Sequence, residues 1–179
     1  MKTSLYSACL LMAILLLSIK SNAQTTSNPK NKEDIMLTTQ KNKAVISKLY
    51  ELALNKNDMT LLPDLISEDY PGIQGEKGAA AFVKPVVALM KSFPGIQWHI
   101  EEMIGEGNKI AVRWKLQGTQ AAPFNGFSVI GKTVTNEGMA IYEFKEGKII
   151  GSYVLTDRLG FLQQLEVLPQ DITQLSGKK

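Results

Sequence analysis

Few side chains of this sequence can exchange a proton near neutral pH, so the candidates for chemistry are few. Asp157 stands at the end of the apolar run IIGSYVLT, residues 149–156, and just ahead of RLGFLQQL. A carboxylate there has two readings. In an apolar pocket, desolvation disfavours its charged form and brings it toward the working range of a general base. Alternatively, it caps the helical turn expected over residues 159–165, or pairs with Arg158 or Arg113. His99 is the only histidine, which leaves no histidine-rich metal site and no ordinary serine or cysteine triad. Strand alternation turns His99 away from Trp98 and Ile100, toward solvent. Glu101 and Glu102 are adjacent on the same strand, so they are expected on opposite faces and not as a paired-carboxylate site.

Positioning these residues takes helices first and strands second. Ile35, Val45, Ile46, Leu49, Leu52 and Ala53 recur at intervals close to three and four, which predicts a long amphipathic helix ending near Asn57 and Asp58. A short helix follows over MTLLPDLI, with Asp58 as its N-cap. SEDYPGIQGEKG, residues 67–78, is loop; its glycines lack the preceding strand and Gly-Lys-Ser/Thr ending of a phosphate cradle. A third helix is expected over residues 79–92, with Pro85 as a point of kinking and Pro94-Gly95 as its stop.

After Pro94 the period changes to two. Ile110, Val112, Trp114 and Leu116 alternate with Arg113, Lys115 and Gln117, so IQWHIEEMIGEGNKIAVRWKLQGTQ reads as two strands turning at Glu106-Gly107-Asn108. KTVTNEGMAIYEFKEGKIIGSYVLTD repeats the arrangement around Lys145-Glu146-Gly147. Helices preceding a run of antiparallel strands define an α+β domain. Strand alternation puts Tyr153 and Leu155 on the side of Asp157. Arg113 either binds an acidic substrate group inside the sheet or lies on its outer face. Trp98, Tyr142, Tyr153 and Phe161 serve either the core or a ligand surface.

The N-terminus addresses the compartment. A charged start at Lys2, an apolar stretch from Ala8 to Ile19 and the small-x-small pattern Ser21-Asn22-Ala23 describe a signal peptide over residues 1–23. The stretch is shorter than the roughly 20 residues of a membrane span. A secreted or periplasmic protein is therefore expected, with no membrane contact after processing. Residues 24–32 are polar and expected to form a flexible leader, residues 33–170 the domain and residues 171–179 a polar tail. Cys9, the only cysteine, lies within the signal, so the mature chain rests on its core without disulfides. Loss of Lys2 and Lys20 leaves 18 basic against 17 acidic residues, a formal charge of +1 that gives no electrostatic case for nucleic acid as a partner.

Taken in order, FPGIQWHIEEMI, NKIAVRWKLQGTQ, GKTVTNEGMAIYEFKEGKI and DRLGFLQQL resemble the polyketide-cyclase-like (SnoaL-like), or ester cyclase, family. That family belongs to the cone-shaped α+β superfamily similar to nuclear transport factor 2 (NTF2-like) and ketosteroid isomerase. The resemblance covers residues 44–169 or so and implies a curved antiparallel sheet with N-terminal helices packed over a pocket. It implies an apolar carbonyl compound as ligand, proton transfer without metal or organic cofactor, a homodimer, and Asp157 as the acid and base. Two positions depart from the family. Gln120 follows Gly118-Thr119 where many members have histidine, and Tyr70 stands where many have a second histidine. Glutamine forms hydrogen bonds but exchanges no proton near neutral pH, so Gln120 and Tyr70 are expected as hydrogen-bond partners of the ligand. The resemblance also places Phe124 and Phe127 in a loop over the pocket mouth. The competing expectation is a non-catalytic binding module holding an apolar molecule or a protein in the same cone.

Overall fold

The computed structural model of the protein describes residues 29–175. The signal peptide expected over residues 1–23 lies outside them, as does part of the leader. Helix α1 spans Pro29–Lys48, so it begins inside the stretch expected to be a flexible leader. It continues as a wider π turn over Leu49–Leu54, where the Asn55 amide donates to the Tyr50 carbonyl five residues back at 3.0 Å. The wider turn keeps Leu49, Tyr50, Ala53 and Leu54 all facing inward, an apolar surface broader than a regular helix allows.

Asp58 caps the next 3-10 turn, Met59–Leu61, by accepting from the Thr60 amide. That turn runs on into α2, Leu62–Leu65. Helix α3, Gly78–Ser92, is continuous through Pro85 and closes where the Phe93 amide donates to the Leu89 carbonyl.

The remainder is one four-stranded sheet in the order β1-β2-β3-β4, each neighbouring pair antiparallel. Its strands are β1 Gln97–Glu106, β2 Lys109–Thr119, β3 Thr133–Lys145 and β4 Lys148–Thr156. Both hairpins turn where the glycines predict. In the second, Glu146 and Gly147 have φ of 53° and 78°, the left-handed pair that matches the twist of antiparallel strands. Helix α4, Arg158–Gln164, follows β4 directly. The helices, one curved sheet and strand-rich second half make an α+β cone with the core between helices and inner sheet face. Among the described residues, no helix is long and apolar enough to cross a membrane.

Register decides which side of the sheet faces the core. Ile110, Val112, Trp114 and Leu116 of β2 are buried, and their partners on β3 are Tyr142, Ala140, Gly138 and Asn136. A β-carbon at Gly138 would lie 2.6 Å from the Leu155 carbonyl oxygen and inside the Trp114 ring, so glycine is what lets the indole lie flat across β3. On β4 the corresponding inner positions are Ser152, Val154 and Thr156, opposite Tyr142, Ala140 and Gly138.

Two expectations are corrected here. Tyr153 and Leu155 lie on the outer face, 63% and 58% exposed, opposite the exposed Ile141 and Met139, so Tyr153 does not line the cone. Arg113 is also on the outer face, where its guanidinium lies 3.6 Å from Glu101 and 3.8 Å from Glu102. The two glutamates were expected on opposite faces, but a bulge between Ile100 and Glu102 leaves Glu101 outside the ladder. The extra residue breaks the alternation and lets both carboxylates bracket one cation.

Candidate functional site

Tyr70 reaches the inner face from the loop before α3. Its ring packs edge-on against Phe82, and its hydroxyl shares a 2.6 Å hydrogen bond with Ser152 Oγ. Tyr142, on the same face, shares a 2.8 Å hydrogen bond with the hydroxyl of Tyr50 from the π turn. Burial raises the Tyr50 phenol to about 12, against a smaller lowering effect of the Tyr142 hydrogen bond. Burial likewise holds Tyr142 well above the usual phenol range, reinforced by Tyr50. Both rings therefore stay protonated across the physiological range.

Asp157 lies one residue beyond β4, where strand alternation no longer governs its direction. It is exposed and caps α4: Oδ1 accepts from the Gly160 amide at 2.9 Å. The expected apolar enclosure is therefore not formed in the free protein, and the capping reading holds. Its second oxygen has no hydrogen-bond partner among the described residues. A β-carbon at Gly160 would collide with that oxygen, so the glycine of Asp-x-x-Gly gives the carboxylate its seat. On the inner face, near the end of β4, Val154 is 49% exposed and Thr156 is exposed. The inner positions of β2 are buried, those of β3 are buried or half-buried, and on β1 Trp98 is buried while Ile100 and Met103 are half-buried.

Gln120 is 1% exposed and fully occupied with the following loop. Its amide donates to the carbonyls of Ala122 and Ser128, and its oxygen accepts from the Ile130 amide at 3.1 Å. It holds the loop's backbone and is not available to hydrogen-bond a ligand, which corrects the expectation that placed it among the binding residues. That loop is a tight hairpin. Phe124 and Phe127 exchange both backbone hydrogen bonds across Asn125-Gly126, whose φ of 49° and 83° fit a primed turn. The Asn-Gly pair in the sequence was the signal for it.

Phe124, Phe93 and Phe161 form a three-ring cluster with centroids 5.7 to 5.8 Å apart. Phe93 and Phe161 are buried, so Phe124 and Phe161 join the loop and α4 to the core, and Phe127 is half-buried at the hairpin's other side. Trp98 is buried at the start of β1, its backbone held on both sides by the Asn55 side chain. His99 is exposed on the outer face, as alternation predicts. Tyr50 and Ser152 are the inner-face hydroxyls that sequence reasoning missed. Among the described residues, no group of three histidine, cysteine, aspartate or glutamate side chains is arranged to hold a metal ion.

This cone of helices over a curved meander, with an acid at the last strand's end, defines the fold class of the polyketide-cyclase-like proteins. The family model for the SnoaL-like polyketide cyclases matches residues 44–165, and the chain belongs to that family. No curated protein sequence matches significantly. Among solved structures, a SnoaL-like protein from Jannaschia sp. CCS1 superposes with a TM-score of 0.67 at 20% identity, over 74% of this chain and 96% of that one. TsrD from Streptomyces laurentii gives 0.66 at 19% identity, covering 72% and 97%. A SnoaL-like polyketide cyclase from Agrobacterium tumefaciens gives 0.60 at 18%, covering 69% and 97%. At these identities the superpositions establish the fold.

Proposed function

We propose that the protein is an exported, cofactor-independent member of its family that binds an apolar carbonyl compound on the inner sheet face. There it transfers a proton, in a cyclisation or isomerisation, with Asp157 as acid and base. The reading is supported by the exposed inner-face residues Val154 and Thr156 near the end of β4, and by a carboxylate one residue beyond the strand that is fixed through one oxygen only. An apolar molecule lying there removes water from the carboxylate, and desolvation favours proton uptake. The base then takes a proton from carbon beside the carbonyl and returns it at a second position. Export rests on the sequence of residues 1–23.

Deuterium exchange into the activated methylene of an aromatic β-keto ester, followed by proton NMR, tests the chemistry. Asn caps a helix about as well as Asp, so Asp157→Asn keeps the junction while removing the base. The substitution should slow the catalysed exchange by about 100-fold or more. Equal exchange by both proteins refutes the assignment.

A second reading, a binding module without turnover, is favoured by Gln120, which sits fully engaged where many relatives have histidine. It predicts binding of the same ester with no accelerated exchange.

We propose further that the partner is a second copy of the chain. Ile104, Ala111, Ile141 and Tyr153 align in register across the outer face, next to Met139 and Leu155. The neighbouring Glu101, Glu102, Arg113, Lys115 and Glu137 carry both signs of charge, which suits a two-fold, self-complementary contact.

A further inference from the structure

We infer that the hydroxyls of Tyr50, Tyr142, Tyr70 and Ser152 form a hydrogen-bond donor site that anchors a carbonyl oxygen at the far end of the small molecule. The inference rests on the reading of the inner face as a small-molecule site. Tyr142 and Ser152 are direct cross-strand partners on that face. Tyr50 comes to them from the π turn, and Tyr70 from the loop before α3, across 92 and 82 residues of chain respectively. Single π turns recur at functional sites, because the wider turn re-aims a side chain that a regular helix would place elsewhere.

Counting protons gives the direction. Four hydroxyls carry four donor protons, one each. The Tyr50–Tyr142 and Tyr70–Ser152 hydrogen bonds absorb two of them. The other two find no protein acceptor among the described residues, although Tyr50 and Tyr142 are each only 3% exposed. Each buried hydroxyl has one partner, but the buried Tyr50–Tyr142 pair keeps one proton without an acceptor, and a proton so placed favours a group that only accepts. A carbonyl oxygen, with two lone pairs and no proton, is such a group. The raised values of Tyr50 and Tyr142 keep those two phenols donors and not bases.

Position separates this site from the proton-transfer step. Ser152 is half-buried, and Val154, the next inner position, is exposed. At about 3.3 Å per residue, Ser152 and Thr156 are about 13 Å apart along β4. The anchored oxygen is therefore remote from carbon lying beside Asp157. The substrate class that fits is an elongated apolar molecule with an acceptor oxygen at one end and acidic C–H bonds at the other. Tyr70 and Ser152 act as positioning residues at the entrance to the cluster.

The probe is 2-acetylnaphthalene labelled with carbon-13 at the carbonyl, compared with 2-ethylnaphthalene, which has nearly the same shape and no acceptor. The acetyl compound should bind the full-length protein about tenfold more tightly or better. Its bound carbonyl stretch should move to lower frequency than in hexane. Tyr142→Phe and Ser152→Ala should each reduce the frequency shift and the affinity difference. Equal affinities, an unshifted carbonyl, or a shift that survives both substitutions overturns the inference. The wild-type frequency needs no variant, so a substitution that fails to fold leaves the test decisive. Absence of binding by either probe overturns this site together with the small-molecule reading. A shifted carbonyl in a protein that catalyses no exchange upholds the anchor and removes only the role of Asp157.

Discussion

The buried phenols make stability depend on alkaline pH in a way that substitution can isolate. An unfolded tyrosine releases its proton near pH 10, whereas folded Tyr50 holds it to about 12 and Tyr142 stays well above the usual value. The folded pKa is raised, so the stabilisation is fully present below pH 10. It is lost as pH rises, because only the unfolded chain ionises. Integrated from pH 9 to pH 11, each phenol that stays protonated in the fold removes about 1.3 kcal/mol of stability. Two such phenols remove about 2.6 kcal/mol, and Tyr50→Phe should remove only about half of that over the same interval. Urea unfolding at pH 9, 10 and 11 gives both slopes, and the exposed lysines and tyrosines cancel in the difference. Phenylalanine keeps the ring in the core, so the folded variant remains measurable at pH 9. Parallel slopes for wild type and Tyr50→Phe would show that this phenol ionises as readily in the fold as out of it. The buried hydroxyl pair would then be wrong.

Gly160→Ala separates stability from chemistry at the β4–α4 junction. Alanine in place of glycine stabilises a helix by up to about 1 kcal/mol, while loss of an aspartate cap costs about the same. The midpoint of urea unfolding should therefore change little, yet the displaced Asp157 carboxylate should lower exchange activity at least tenfold. Unchanged activity would mean that the carboxylate's seat does not matter. On the outer face, sedimentation equilibrium at micromolar concentration should give twice the chain mass for wild type. Paired Ile141→Glu and Leu155→Glu substitutions should reduce it to the single-chain mass, and a monomeric wild type would rule out the dimer.

The parts of this architecture that were legible in the sequence are those set by neighbours in the chain. The Gly107 and Glu146-Gly147 turns, the Asp58 cap and the alternation of β2 all depend on a few adjacent residues, and all form as read. Strand β4 was different. IIGSYVLT has no polar alternation, so period two says that neighbours point oppositely without saying which set points inward. Its face is settled by pairing with β3, and the consequence is that Tyr153 lies outside while Ser152 lies inside. The bulge at Glu101 and the π turn at Tyr50 each add one residue to a regular repeat, and no composition rule announces either. The hydroxyl pairs join residues so far apart in the chain that only tertiary packing reveals them.

Capping and chemistry at Asp157 are not rival uses of one side chain. A cap consumes one lone pair of one oxygen, and a carboxylate has about four acceptor sites. What the cap contributes is direction: the Gly160 amide fixes Oδ1, and the missing β-carbon at Gly160 leaves room for Oδ2. An aspartate without this hydrogen bond would sample several rotamers at an exposed strand end, and a base must be placed before it can be effective. The residue that follows the last strand and caps the last helix is thus held in one orientation by the fold, which is the condition that the proposed proton transfer sets.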